Sequence, residues 1–274
     1  MGDELREREG EHDPDYASFV TGFKMLTGID LNQYKEAQMK RRLTTLRQRR
    51  GYDSFASYFP AVQRNRELLA ELLDRMTINV SEFWRNPNRW EVLEGRFLPE
   101  LLQRSRRIKC WSAACSTGEE PYSLAMILAR QGALGDARLV ATDIDDNALA
   151  KAKLGVYHER SLKDVPKAYI DAYFRKEGES YYVADELKRG VAFAKGNLLT
   201  DPFDGGFDLI ICRNVMIYFT EEAKALLYRK FSDALRPGGI LFVGSTEQIF
   251  SPGQYGLASA DTFFYRKTAS PDDV

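Results

Sequence analysis

The segment that most constrains this chain is residues 108–128, IKCWSAACSTGEEPYSLAMIL. A short apolar run from Ile108 to Trp111 leads into small residues and Gly118, then two carboxylates and a proline that open an amphipathic stretch. Strand, tight turn and helix N-terminus in that order build the nucleotide corner of an open α/β sheet. The charge of the turn narrows the ligand. A pyrophosphate would sit against the helix N-terminus, where N–H groups and the helix dipole favour an anion. Glu119 and Glu120 repel such a group and favour a nucleoside that carries positive charge.

After residue 107 strand-like runs alternate with helices: 108–112, helix 119–131, 138–142, helix 146–154, 191–194, 207–212, helix 221–235, 240–244 and 262–266. That alternation predicts a mostly parallel sheet covered on both faces. A stretch at about 173–194, rich in tyrosine and β-branched residues, interrupts it and is expected to form a small inserted antiparallel β-subdomain. Residues 14–102 read as consecutive helices. Asp13–Pro14 supplies an N-cap and first-turn pair, and residues 31–50 form one long helix closed by Gly51. Leu68, Leu69, Leu72, Leu73 and Met76 recur at helical spacing within 65–77, and Asn86–Pro87 opens a further helix with Trp90, Leu93 and Phe97 on one face. The basic segment 104–109 marks the junction. The expected organisation is an acidic tail 1–13, a helical domain 14–103, an α/β domain 104–267 and a tail 268–274.

Composition removes several function classes. A formal net charge of −1 over 274 residues gives no global pull toward nucleic acid or an anionic membrane. No apolar run approaches the roughly 18 residues of a membrane span, and the polar N-terminus lacks the apolar core of a signal peptide. Cys110, Cys115 and Cys212 form no CxxC pair, so reduced thiols and a cytoplasmic location are expected. The only histidines, His12 and His158, read as tail and surface residues. They leave no His-rich metal site and no Ser-His-Asp triad, so no metal is expected.

Four further places carry candidate chemistry. Asp143 ends the strand in ARLVATDID, where a carboxylate can accept both ribose hydroxyls; the alternative is an N-cap for the helix that follows. Asn197 offers an amide to a base edge and Leu198 can flank the ring, unless Asn197 is an ordinary turn residue. Arg213, Asn214 and Tyr218 follow the strand 207–212, outside whose carboxyl end substrates of such sheets sit. Asn79, Ser81 and Arg85 are polar residues among Met76, Ile78, Val80, Phe83 and Trp84, fit either for a site or for helix capping by Ser81 or Asn86. Finally, residues 35–50 hold seven Lys/Arg and one acidic residue. At 100° per residue Lys35, Arg42 and Arg49 form one stripe and Lys40 and Arg47 another, with Met39, Leu43 and Leu46 between. The stripes read as a solvated face or as a docking surface for an acidic partner.

Taken together, GEEPYS, ATDID, CRNVMIYF, the STE segment and residues 76–90, in this order over about 15–267, resemble the CheR family of S-adenosylmethionine (SAM)-dependent protein-glutamate O-methyltransferases of chemotaxis receptors. SAM carries both an ammonium and a sulfonium, as the acidic turn requires. The resemblance implies an N-terminal all-helical domain plus a Rossmann-like SAM-methyltransferase sheet with a small antiparallel insertion. It implies SAM contacts at Asn79, Ser81, Arg85, Glu119, Asp143, Asn197, Leu198, Arg213 and Asn214, with Arg85 and Tyr218 near the transferred methyl. It implies S-adenosylhomocysteine as product and the cytoplasmic helical bundle of a chemotaxis receptor as partner. That partner would dock on Lys35, Lys40, Arg42, Arg47 and Arg49, and a monomer is expected. The short insertion argues against a receptor tether. Other readings are a SAM-sensing adaptor without catalysis and an RNA methyltransferase. The near-neutral charge and the absence of the Asn/Asp-Pro-Pro-Tyr/Phe motif of amino-group methyltransferases argue against the last.

Overall fold

The computed structural model describes residues 13–77 and 81–269. The chain divides into two compact units, one running to Ile78 and including Tyr218–Thr220, the other holding Asn79–Ile217 and the chain from Glu221 onward.

In the helical unit, α1 (Pro14–Thr27) starts where the Asp13 carboxylate accepts from the Asp15 and Tyr16 amides, and stops at Gly28 in the left-handed region. Helices α2 (Glu36–Arg49), α3 (Phe55–Arg64) and α4 (Arg66–Met76) follow. Asp15 also caps α3 from a distance, accepting from the Phe55 and Ala56 amides at 2.7 Å each. Tyr16, Phe19, Phe23 and Phe55 form the buried aromatic seam between α1 and α3. The expected single helix over 31–50 is broken. Leu31–Gln33 make one 3-10 turn and Tyr34–Lys35 are extended. A strand-like bridge forces this: Lys35 N donates to Tyr218 O (2.9 Å), Thr220 N donates to Gln33 O (3.0 Å), and Tyr34 pairs with Phe219.

The second unit opens with α5 (Pro87–Val92), a π-helical turn (Leu93–Phe97) and α6 (Leu98–Arg104). These residues were expected in the helical domain. They belong with the sheet because their apolar face is built into it. Trp90 packs on Phe242, Phe97 packs on Phe264 at a ring separation of 4.7 Å, and the Gln131 amide donates to Glu94 O. The remaining elements are β1 (Lys109–Ala113), α7 (Glu119–Arg130), β2 (Arg138–Asp143), α8 (Asp146–Leu154), β3 (Val156–His158), α9 (Lys167–Tyr173), β4 (Phe174–Glu177), β5 (Ser180–Val183), α10 (Asp185–Gly190), β6 (Val191–Lys195), β7 (Phe207–Cys212), α11 (Glu221–Ala234), β8 (Leu235–Val243), β9 (Leu257–Asp261) and β10 (Phe264–Lys267).

Seven strands form one sheet in the order β6-β2-β1-β7-β8-β10-β9. The first five are parallel, and β10 and β9 run antiparallel at one edge. Burial along β1, β7 and the second half of β8, Ile240 to Val243, is what a central parallel strand covered on both faces requires. The small sheet has the order β3-β5-β4 and is antiparallel. It therefore begins at Val156 and ends at Val183, not at about 173–194. Residues 191–195 pair with β2 in the main sheet, and Val156–His158 joins the insertion because Tyr157 is buried against Phe83 and Tyr122. The chain winds outward through β1, β2 and β6, then returns to the other side of β1 as β7. The carboxyl ends of β1 and β7 thus flank the switch point where ligands of open α/β sheets bind.

Candidate active site

The turn after β1 is built for close approach. Ala114, Ser116 and Gly118 have φ of 63°, 48° and 96°, three left-handed residues in five. Only the last is glycine, and a Cβ there would fall 2.9 Å from both Ala152 Cβ and Tyr157 Oη. The strained path is held from three sides: Cys115 N donates to Thr142 O, Tyr157 Oη donates to Thr117 O at 2.6 Å, and Ser116 N donates to the Asp143 carboxylate at 2.7 Å.

Asp143 does not cap the helix that follows it. The cap of α8 is Asp145, which accepts from the Asn147 and Ala148 amides. Asp143 is buried at the tip of β2, accepting Ser116 N on one oxygen and Asp145 N on the other. Burial raises the carboxyl above its usual range, although the backbone amides of Asp145, Ser116 and Ile144 oppose the rise.

Glu119 opens α7, 4% exposed. Its carboxylate accepts from Thr117 Oγ1 at 2.7 Å and from the Ser81 hydroxyl, while burial raises its pKa. No salt bridge reaches it among the described residues. Glu120, absent from the expected contact set, accepts from Ser112 Oγ at 2.7 Å. It is half-buried at its surface yet enclosed by protein, and this desolvation pushes its carboxyl up to about 7 against the pull of Arg213.

The far wall is made by the turn after β7. Arg213 is 7% exposed and lies over the rings of Phe242 and Trp90. Its Nη2 donates to Arg85 O (2.7 Å) and to Asn86 Oδ1 (2.8 Å). Asn86 precedes α5 in the left-handed region with no capping bond, so its side chain serves Arg213 and not the helix. Arg85 O also accepts from Trp90 Nε1, which pins the Arg85 backbone while its side chain stays half-buried. Asn214 follows with φ 61°. The carboxylate of Glu247, in the STE segment but given no role by the sequence, fastens this turn.

Asn197 and Leu198 line a recess of about 190 Å³ with Trp111, Thr142, Phe203 and Phe207. Asn197 Oδ1 accepts from Leu199 N, as a turn asparagine does, which commits its carbonyl and not its NH2 group. Asn79 lies outside the described residues.

In the helical unit the basic stripes are sorted by burial. Arg47 is no docking residue: it is 8% exposed, lies over the Phe55 ring and donates to Tyr52 O. Lys40 is paired with Asp13 at 2.8 Å. Lys35 stands before α2, in the extended segment. Arg42 Nη1 donates to Met76 O at 2.6 Å, and its guanidinium lies 5.5 Å from the Tyr218 ring centre. Arg41 and Arg49 are exposed. Gln38, Arg41, Arg42, Thr45, Arg75 and Tyr218 surround a recess of about 460 Å³, and none of them is acidic.

The donor set of the α/β unit fits SAM. Glu119 offers a buried anion without a cationic partner among the described residues, Asp143 offers two acceptors, and the buried Nε of Arg213 has no acceptor. A ligand with an ammonium, a ribose diol and a carboxylate answers each of these. No helix of the described residues is long and apolar enough to cross a membrane.

Comparison with known proteins gives two family matches: "CheR methyltransferase, all-alpha domain" over residues 14–77 and "CheR methyltransferase, SAM binding domain" over residues 79–264. The chain is 44% identical to a chemotaxis protein methyltransferase of Listeria innocua over 255 residues, covering 93% of this chain and 97% of that one. It is 33% identical to chemotaxis protein methyltransferase 1 of Pseudomonas aeruginosa, covering 86% and 90%.

Proposed function

Because this chain belongs to the CheR methyltransferase family, with both family domains matched and SAM as cofactor, we propose that it methylates glutamate side chains on the cytoplasmic helical bundle of chemotaxis receptors. The observation that carries this reading is the recess around Tyr218, the residue expected beside the transferred methyl. Three arginines line it, with no acidic residue among the lining side chains. Such a recess suits an anionic acceptor segment and disfavours a lysine or arginine acceptor.

A glutamate carboxylate has a reference pKa of about 4.3, so it reaches the enzyme as a ready nucleophile at neutral pH. Bound SAM supplies an electrophilic methyl on a cationic sulfur, and its transfer to a carboxylate oxygen leaves a neutral thioether with no proton to move. The chain's own residues then have two tasks, positioning and drying. Asp143 takes the ribose hydroxyls and Asn197 NH2 the base edge. Glu119, with Ser81 sharing its carboxylate, takes the ammonium, and Arg213 and Asn214 frame the methionine portion. Arg85 orients the acceptor carboxylate. Arg41 and Arg49 meet acidic residues of the receptor helices.

The test is chemical. With tritiated SAM and receptor-containing membranes, the label should enter the receptors and leave as volatile methanol under mild base. Base-stable label on the receptors means N-methylation and overturns the reading, as does no incorporation at all.

A further inference from the structure

We propose that Glu247 is a positioning residue for SAM, acting through Asn214 without touching the cofactor; this rests on the assignment of Asn214 as a SAM contact. Glu247 lies past β8 and is 4% exposed, yet no salt bridge reaches it among the described residues. Four backbone amides take the place of a cation. Oε2 accepts from Asn214 N at 2.7 Å and Gly244 N at 2.8 Å, and Oε1 accepts from Val215 N at 2.8 Å and Met216 N at 2.7 Å. Three of these donors are consecutive residues of the turn after β7, about thirty positions away in sequence. One carboxylate thus staples the carboxyl ends of two adjacent parallel strands together, at the rim where the site lies.

The conformation of Asn214 shows what the staple is for. Its φ of 61° lies in the left-handed region, which few residues besides glycine and asparagine adopt and which the surroundings must hold in place. Glu247 does so by fixing the amides of Asn214 and the two residues after it. Gly244 gives independent support. A Cβ there would intrude on the Glu247 carboxylate and fall 2.9 Å from Asn214 N and 3.2 Å from Asn214 Nδ2. The glycine therefore leaves room for carboxylate and asparagine together. The Asn214 side chain is consequently aimed before any ligand arrives, and little ordering is left to be done on binding.

Glutamine is nearly isosteric with glutamate but turns an NH2 group toward two of the four N–H donors. Glu247→Gln should therefore weaken S-adenosylhomocysteine binding by about tenfold or more, as expected for losing charge-assisted bonds. Asn214→Ala should weaken it too, and in the Asn214→Ala background Glu247→Gln should add less than about twofold, because both changes remove one interaction. Additive losses would make Glu247 a general structural support and overturn the proposal. So would unchanged affinity in a cooperatively folded Glu247→Gln protein. Hydrogen exchange on the wild type covers the case in which the variant does not fold. The amides of Asn214, Val215 and Met216 should be protected before ligand is added, and rapid exchange there would show that no staple exists. If the wild type shows protected amides but binds no S-adenosylhomocysteine, the reading of the site as a cofactor site fails, and the staple survives without that role.

Discussion

Replacing Glu120 with glutamine should flatten the pH dependence of stability in the α/β unit. The carboxyl accepts from Ser112 Oγ at 2.7 Å, and desolvation lifts its pKa from 4.5 to about 7. Between those values the native state holds a proton that the unfolded chain has released. The Glu120 contribution to wild-type stability therefore falls as pH rises from 4.5 to 7 and is level on either side of that window. At about 1.36 kcal/mol per pH unit the full loss is about 3 kcal/mol. Water reaches this half-buried side chain, which lowers the expected figure to about 2 kcal/mol. Urea unfolding followed by tryptophan fluorescence isolates the effect, because Trp84, Trp90 and Trp111 all lie in the α/β unit. Any packing cost of glutamine is independent of pH and cancels from the trend. Wild type should lose about 2 kcal/mol relative to Glu120→Gln between about pH 5 and pH 8. A difference between the two proteins that stays constant within about 0.5 kcal/mol, near the resolution of such extrapolations, refutes the assignment.

Other substitutions separate cofactor binding from docking. Asp143→Ala should weaken SAM binding about tenfold to a hundredfold, since it removes the ribose acceptors and the Ser116 bond together; unchanged affinity by calorimetry would remove Asp143 from the cofactor site. Charge reversal at the exposed pair Arg41 and Arg49 should impair receptor methylation, more weakly at high salt, while SAM affinity stays intact. Normal methylation by that double variant would make the face a solvated one.

How much of this was legible in the sequence follows from where each signal resides. The central strands are readable because burial on both faces makes them continuous apolar runs, and the expected 207–212 coincides with β7. Leu257–Asp261 is a half-exposed edge strand, and Val156–His158 has only three residues, so neither carries a pattern. Arg47 was misplaced because a helical wheel gives spacing but not which side a neighbour covers. Helix α3, whose Phe55 lies over Arg47, falls in the stretch read only as consecutive helices, without bounds of its own. The break at Tyr34 depends on Tyr218–Thr220, nearly two hundred residues away. The two carboxylates after Gly118 did announce an unusual turn, but which one opens on the site depends on Ser112 and Thr117. The STE segment that ends at Glu247 was part of the family resemblance, but the role of its carboxylate was not legible, since three of its four donors come from another strand's end.

In the proposed reaction the acceptor arrives already ionised and the enzyme positions it without a general base. Single-turnover methyl transfer against pH, at saturating SAM and receptor, tests this most directly. Wild type and Glu120→Gln are compared, because a buried acid that titrates in the working range must itself be tested as the base. The rate should be nearly flat from about pH 6 to 8, well above the acceptor's reference pKa. A rise of about tenfold across that window, with the fold intact and chemistry limiting, would reveal a titrating base and contradict the account.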